Sequence, residues 1–229
     1  MTTARLKELR SVEKIIGYTF KNPALLDEAL THASYANEHG VKSYERLEFL
    51  GDSVLGMTVS IELMKKYPDK DEGFLTKAKA QIVSGPTLAS HIDALGIVLF
   101  VMHGAGKASA EVIESAKVKE DVFESITGAI MQDGGLEKAV EFVKRHLKDV
   151  LEKDYSVKSN TDFKSGLLET VTKRGGECHF ESLPTDDNFP PEGYIAKVYI
   201  DGEIFGTGKG KSKKKAEQAA SAEALKKLK

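Results

Sequence analysis

The segment Glu45-Arg-Leu-Glu48-Phe-Leu-Gly-Asp52-Ser-Val-Leu55 determines how the first part of the chain is interpreted. Its acids Glu45, Glu48 and Asp52, called here the acidic stripe, are spaced i, i+3 and i+7. In a helix that turns by about 100° per residue they lie within about 60° of one another. Like charges at this spacing cost about 0.2–0.5 kcal/mol per pair, so the stripe predicts a neutralising cation. The opposite face is apolar and is expected to be buried: Leu47, Leu50, Val54 and Met57.

A second acidic pair occurs in the segment Asp121-Val-Phe-Glu124-Ser-Ile-Thr-Gly128. Asp121 and Glu124 share one face of a predicted helix. The small residues Gly56 and Gly128 are expected to leave space beside the acids of their own helices. Two such helices facing each other would enclose carboxylate oxygens without His or Cys, a donor set that suits Mg²⁺ or Mn²⁺.

Glu72 could add a further carboxylate at the start of another helix. Acids spaced i, i+3 are common in ordinary helices, however, and Asp71 or Glu72 could serve only to cap the helix and interact with its dipole. The residues alone leave both interpretations open.

The chain divides into two regions with different sequence patterns. Residues 1–154 predict an all-α domain, with helices near 24–30, 44–67, 74–83, 87–95, 116–132 and 136–151. Residues 155–161 are polar and aperiodic and predict a linker. Residues 162–229 predict an α+β domain of order α-β-β-β-α, with Asp201-Gly202 as a two-residue hairpin turn.

The charge is distributed unevenly along the chain. Residues 1–154 carry 20 Lys and Arg against 24 Asp and Glu, whereas residues 155–229 carry 13 against 11. The last 23 residues hold eight lysines and two glutamates. The first region therefore suits cations, and the end of the second suits phosphates.

Composition excludes several classes of protein. A single cysteine, Cys178, excludes an intrachain disulfide and a thiolate metal cage. The longest apolar run, residues 95–102, is too short to cross a membrane, and the start of the chain does not resemble a signal peptide. We therefore expect a cytoplasmic protein without a membrane partner.

These motifs resemble those of the ribonuclease III family. Residues 45–55 are similar to its signature nearly letter for letter. Three further motifs occur along the chain in the order that the family shows: Thr31-His-Ala-Ser-Tyr-Ala-Asn-Glu38 before this signature, and Glu72-Gly-x-Leu-Thr76 and Asp121-x-x-Glu124 after it. Residues 162–229 resemble its double-stranded-RNA-binding domain. The resemblance covers essentially the whole chain and implies an endonuclease domain followed by a domain that holds an RNA duplex.

The resemblance also implies a mechanism and a set of site residues. A homodimer is expected to hydrolyse both strands of an RNA duplex with Mg²⁺, leaving 5′-phosphate and 3′-hydroxyl ends. Ribosomal precursors and structured messages are the expected substrates. The implied metal ligands are Glu48, Asp52, Asp121 and Glu124. Among these, Asp52 and Glu124 are expected to be indispensable for catalysis. Glu45 and Glu72 match acids that handle substrate, and Phe49 matches an aromatic residue that docks into the partner, with core packing as its alternative.

The second domain is expected to contact RNA through a polar residue and a run of lysines: Thr172, Lys209, Lys211, Lys213 and Lys214. A solvated lysine face is the alternative for such a run. Leu168 stands where many relatives have Gln, and the loop Pro190-Pro191-Glu192-Gly193 lacks a histidine common in relatives. In the first domain Tyr44 replaces the usual Asn, and residues 118–120 replace a more apolar stretch.

Two rival functions fit part of the sequence. A double-stranded-RNA-binding processing factor without catalytic activity would keep the fold and lose its acids, yet all six acids are present. A different metal-dependent hydrolase, such as a small-nucleotide phosphatase, would use the acids but would leave the C-terminal lysines without a role.

Overall fold

The computed structural model describes residues 1–106, 111–156, 163–186, 188 and 191–228. Contacts between residues divide the chain into two compact units, Met1–Lys153 and Asp154–Lys229. Residues 157–161 of the predicted linker lie outside the described residues, as does Pro190 of the loop that departs from the family pattern.

The described part of the first unit is helical, which confirms the predicted fold class. Its helices are α1 (Thr3–Ile16), α2 (Pro23–Ala29), α3 (Ala33–His39), α4 (Glu45–Lys66), α5 (Glu72–Ile82), α6 (Gly85–Leu95), α7 (Ala116–Gly134), α8 (Leu136–His146) and α9 (Lys148–Glu152), with a 3₁₀ turn at Ile97–Phe100. The predicted helix 136–151 is interrupted at Leu147, which leaves the helical conformation (φ −107°, ψ 19°). Among the described helices, none is both long enough and apolar enough to cross a bilayer.

Helix α7 forms the centre of this unit. It packs against α2, α4, α6 and α8, and its residues from Asp121 to Ile130 are all buried. Its polar residues therefore need partners inside the protein. The Ser125 hydroxyl, for example, bonds to the carbonyl oxygen of Ala29 at 2.8 Å. The two acids in this stretch, Asp121 and Glu124, are consequently held in a buried and closely packed environment.

Helices α4 and α7 approach each other backbone to backbone. A Cβ atom at Gly51 would overlap the carbonyl oxygen of Glu124, and one at Gly128 would overlap the carbonyl oxygen of Leu47. Only glycine permits so close an approach at both positions. This contact fixes how far apart the acid-bearing faces of the two helices lie.

The buried face of α4 differs in part from the predicted one. Leu47 and Val54 are buried as expected, but Leu50 is only partly buried and Met57 is 39% exposed. The helix instead buries Gly51, Leu55 and Thr58 with them. The contact with α7 at Gly51 rotates the buried face toward these residues, which apolar periodicity alone did not reveal.

The second unit has the predicted order of elements: α10 (Phe163–Lys173), β1 (Cys178–Pro184), β2 (Tyr194–Ile200), β3 (Glu203–Gly210) and α11 (Lys213–Lys227). Its described strands form one antiparallel sheet of order β1-β2-β3. Asp201 (φ 51°) and Gly202 (φ 86°) form the β2–β3 turn, and both adopt the positive φ that a tight two-residue hairpin requires.

Small residues allow β3 and α11 to pack closely against each other. Alternate residues Gly206, Gly208 and Gly210 face the helix, and a Cβ on any of them would collide with its backbone. The helix meets them with Ala216 and Ala220, both fully buried. The sheet and the helix therefore pack closely, and the lysine-rich start of α11 follows directly after β3.

Candidate metal centre and RNA-binding surface

Three acids from two helices converge in the first unit. Glu48 lies on α4, and Asp121 and Glu124 lie on α7; one carboxylate oxygen of each lies within 4.8 Å of the others. Asp121 and Glu124 are each only 7% exposed. We call these three residues the acid cluster. Its formation follows from the packing of α4 on α7 at Gly51 and Gly128, one turn away from the acids.

The cluster is electrostatically unfavourable without a cation. Burial raises the pKa of Glu124 to about 8, and the nearby charges of Asp52 and Glu120 add to this effect. Burial and the charge of Asp121 likewise raise the pKa of Glu48. A carboxylic acid with a raised pKa in a cleft between helices is typical of a functional site.

Lys117 supplies a positive charge beside the cluster. Its ammonium forms ion pairs with Asp121 Oδ1 at 2.5 Å, with Glu48 Oε1 at 3.6 Å and with Glu120 at 3.9 Å. The Asp121 carboxylate raises the pKa of Lys117. The acidic motifs did not point to this lysine, although its i, i+4 spacing from Asp121 was a usable signal.

The acidic stripe does not act as one unit in this structure. Glu48 belongs to the acid cluster, whereas Asp52 is exposed and lies outside it, although its charge acts on Glu124. Glu45 is exposed and accepts a hydrogen bond from the Ser43 hydroxyl at 2.6 Å. The role of Asp52 as a metal ligand thus stays a prediction.

The two acids at the start of α5, Asp71 and Glu72, have different environments, which bears on whether each of them caps the helix or serves the site. Asp71 caps the helix, because its side chain accepts a hydrogen bond from the backbone N–H of Phe74 at 2.8 Å. Glu72 lies in the first turn, is exposed, and accepts a hydrogen bond from the Thr76 hydroxyl at 2.6 Å. The capping interpretation therefore holds for Asp71, whereas Glu72 does not cap the helix.

The donor set of the acid cluster suits a hard divalent cation. It offers carboxylate oxygens, which Mg²⁺ and Mn²⁺ prefer. Oxygens on opposite sides of one Mg²⁺ lie about 4.2 Å apart, since each bond is about 2.1 Å long. The three oxygens lie within 4.8 Å of one another, slightly more than this limit, so a small side-chain movement would bring them all within reach of one ion. The Lys117 ammonium already lies beside these acids. Glu48, Asp121 and Glu124 fit such an ion.

One side of α4 exposes large apolar residues to solvent. Phe49 is 79% exposed, and Met57, Ile61 and Met64 are 39%, 42% and 63% exposed. Core packing of Phe49, the alternative to a docking role, is therefore wrong. Several large apolar residues exposed on one side of a helix, called here the apolar stripe, mark an interaction surface more often than single exposed residues do.

Two departures from the family pattern now have structural explanations. Lys119 is 8% exposed and pairs with Asp93 at 2.7 Å and Glu114 at 2.9 Å, so its charge is compensated. Tyr44 is buried, and its hydroxyl lies 3.3 Å from Asp121 Oδ2.

The predicted RNA contacts of the second unit lie on its surface. Lys209 and Lys211 border the end of β3, and Lys213 and Lys214 begin α11; all four are exposed. Ser212 caps the helix by accepting a hydrogen bond from the N–H of Lys215 at 3.3 Å. The lysines thus combine their charge with the positive end of a helix, an arrangement that attracts phosphate. Leu168, in the middle of α10, and Thr172, near its end, are both exposed.

Comparisons with known proteins agree with both units. Residues 22–151 match the family model described as ribonuclease-III-like, and residues 163–228 match the double-stranded RNA binding motif. A ribonuclease 3 of Symbiobacterium thermophilum is 40% identical over 92% of this chain and 90% of its own length. One of Listeria monocytogenes is 37% identical over 97% of this chain and 99% of its own length.

Solved structures lead to the same conclusion. The nuclease domain of ribonuclease III from Campylobacter jejuni, studied for flexibility in its region involved in dimer formation, is 32% identical with a TM-score of 0.57. The match covers 61% of this chain and 95% of the Campylobacter jejuni chain. The fold and site define a helical nuclease joined to a duplex-binding domain. The chain belongs to the ribonuclease III family and is an endoribonuclease.

Proposed function

We propose that this chain cleaves both strands of double-stranded RNA in a Mg²⁺-dependent reaction that leaves 5′-phosphate and 3′-hydroxyl ends. The observation that carries the proposal is the convergence of Glu48, Asp121 and Glu124 from two helices, in a chain that also holds a double-stranded RNA binding motif. Mn²⁺ has similar ligand preferences and is the expected substitute.

The acids have distinct proposed roles. A bound divalent cation supplies positive charge to the phosphate and makes water nucleophilic near neutral pH. Glu48, Asp121 and Glu124 would hold it, joined by Asp52 from the adjacent turn of α4. Because burial raises the pKa of Glu124 to about 8 in the metal-free protein, this acid must release its proton when it binds the cation. Glu45 and Glu72, both exposed, are proposed to handle substrate at the edge of the site.

A homodimer would place two such sites on one duplex. The exposed apolar stripe of α4, which includes Phe49 and Met64, is proposed as the dimer surface, because an isologous contact would cover it in both copies. Light scattering on Phe49→Asp tests this proposal: the variant should be monomeric while the wild type is dimeric. A dimeric variant would contradict the assignment.

The second unit is proposed to hold the duplex through its phosphates and shape. A-form RNA has a major groove too narrow for side chains to read, so duplex binding depends on the backbone and the minor groove. Lys209, Lys211, Lys213 and Lys214, with Thr172, are the proposed contacts. Precursors of ribosomal RNA and structured messages in the cytoplasm are the proposed substrates.

The function is tested by incubating a long RNA duplex with the protein, with and without Mg²⁺, and analysing the product ends. We expect cleavage only with Mg²⁺, and none by Glu124→Gln, which should still bind the duplex.

Glu137→Gln, at the exposed start of α8, is the matched control and should cleave normally. Binding by the wild type without cleavage would favour a processing factor without catalytic activity. Cleavage by Glu124→Gln at the wild-type rate would overturn the site assignment.

Removing residues 155–229 separates the proposal from a small-nucleotide phosphatase. A duplex endonuclease that depends on its second unit loses activity on RNA at physiological salt when that unit is deleted, because phosphate contacts dominate affinity. The acids of the first unit are unchanged by the deletion. Full activity of the truncated chain on a small phosphorylated nucleotide would favour the phosphatase instead.

A further inference from the structure

Tyr44 reaches the acid cluster from outside the predicted motifs. It directly precedes α4 and is 3% exposed. Its hydroxyl donates a hydrogen bond to Asp121 Oδ2 at 3.3 Å, across a sequence separation of 77 residues. A buried tyrosine hydroxyl generally requires a partner, and here the partner is a member of the acid cluster.

The backbone of Tyr44 is fixed on both sides. Its N–H donates to the carbonyl oxygen of Thr31 at 2.9 Å, and its own carbonyl accepts from the N–H of Glu48 at 2.9 Å. The His32 ring packs against its phenol ring in an edge-type arrangement, with centroids 5.8 Å apart. The phenol therefore has little freedom to move, and the same residue supports both Glu48 and Asp121.

The two oxygens of Asp121 have different kinds of partner. Oδ2 meets the hydroxyl of Tyr44, which is buried and rigidly held. Oδ1 meets the ammonium of Lys117, whose side chain is 66% exposed and which also contacts Glu48. A long exposed lysine can move away, whereas the tyrosine cannot. Oδ1 is itself buried and has no other partner among the described residues, so it becomes available to another cation when Lys117 moves away.

We propose that Tyr44 is a positioning residue of the metal centre: its hydroxyl holds Asp121 Oδ2, so that Oδ1 stays turned toward Glu48 and open to a divalent cation. This inference rests on the proposed function. A hydrogen bond to the second oxygen of a ligating carboxylate fixes the orientation of the ligand before metal binds. Loss of such a partner typically weakens metal binding by about 10–100-fold.

The simpler explanation is that Tyr44 only fills space in the core. Tyr44→Phe separates the two explanations, because it keeps the buried ring and its contact with His32 and removes the hydroxyl alone. Tyr18→Phe is the matched control. The Tyr18 hydroxyl also donates to an aspartate, Asp133, at 2.7 Å, but this pair lies outside the acid cluster.

The test is calorimetric titration of Mn²⁺ into the RNA-free full-length variants, with circular dichroism to confirm folding. We expect Tyr44→Phe to weaken Mn²⁺ binding by about tenfold or more and Tyr18→Phe to leave it unchanged. Cleavage by Tyr44→Phe should need proportionally more Mg²⁺ for its half-maximal rate and should recover toward the wild-type rate when Mg²⁺ is saturating.

The outcomes distinguish the inference from the function on which it rests. Wild-type binding of Mn²⁺ with equal affinity in Tyr44→Phe would overturn the role of Tyr44 alone. A wild-type protein that binds no Mn²⁺ would overturn the metal-dependent function and the role of Tyr44 together. A loss of rate in Tyr44→Phe that saturating Mg²⁺ does not restore, with unchanged Mn²⁺ affinity, would also contradict positioning.

Discussion

Gly51 lies directly against the carbonyl oxygen of Glu124, with no room between them for a Cβ atom. Gly128 makes the equivalent contact with the carbonyl oxygen of Leu47. These two glycines allow α4 and α7 to touch along their backbones, and Glu48, Asp121 and Glu124 project beside this contact. The geometry of the acid cluster therefore depends on residues that carry no charge.

Gly51→Ala should lower the free energy of unfolding by about 3 kcal/mol, because the new methyl group forces two backbones apart. Gly56→Ala is the matched control on the same helix. Its Cβ would meet the end of the flexible Lys79 side chain at 3.2 Å, which can move. Urea unfolding of both variants checks the prediction. Equal stabilities would show that the close contact is not required.

Glu124→Gln should be more stable than the wild type without metal at pH 8, by about 1–2 kcal/mol. The pKa of Glu124 is raised to about 8, so the folded state binds more protons than the unfolded state between its ordinary pKa and pH 8. The free energy of unfolding of the wild type therefore falls as pH rises through this range. The glutamine variant has no proton to lose at this position, so its free energy of unfolding does not fall for this reason. Thermal unfolding in a chelator from pH 5 to 8.5 tests it. If the stabilities of the two proteins changed with pH in parallel, the raised pKa of Glu124 would be contradicted.

Divalent metal should bind more weakly at pH 6 than at pH 8. Glu124 is largely protonated below its pKa of about 8, and burial also raises the pKa of Glu48, so both must release protons before they can bind a cation. Titration of Mn²⁺ in buffers of different ionisation enthalpy should show proton release at pH 6.5 and less at pH 8.5. Binding without proton release would mean that these acids are already ionised.

Lys117→Met should strengthen Mn²⁺ binding several-fold in the absence of RNA. The ammonium pairs with Glu48 and Asp121, so it competes with a second cation for the same oxygens. Lys65→Met is the matched control, since Lys65 is equally exposed at 66% and pairs with the remote acid Glu62 at 3.1 Å. Calorimetry compares the three proteins. Weaker binding by Lys117→Met would show that the lysine supports the metal instead of competing with it.

The double variant Lys213→Ala, Lys214→Ala should weaken duplex binding and reduce the slope of log K against log salt by about 2, one phosphate contact per lysine. The matched control replaces Lys226 and Lys227 at the other end of α11. Gel-shift titrations at several salt concentrations measure both slopes. An equal effect of the two pairs would indicate general attraction between charges and not a defined contact at the helix start.

Local sequence patterns were sufficient for the helices and strands that depend on nearby residues. Pro23 at the start of α2 and the Asp201-Gly202 turn lie where sequence rules place them, because both act through their own backbone conformation. The exposure of Met57 was not predicted, because the buried side of α4 depends on where α7 crosses it. No pattern in the sequence pointed to the contact between Tyr44 and Asp121.

The sequence by itself determined the order of elements, the acids on shared helix faces and the lysines at the start of the last helix. Each follows from the spacing of residues along one helix or strand, because the regular repeat of the backbone fixes the direction in which each side chain points. Only the tertiary structure decided that Glu48 joins Asp121 and Glu124 while Asp52 stays outside their cluster, that Lys117 pairs with these acids and that Phe49 faces solvent. These relations arise where one helix packs on another, and the distance between the two helices is set by residues that are far apart in the chain, such as Gly51 and Gly128.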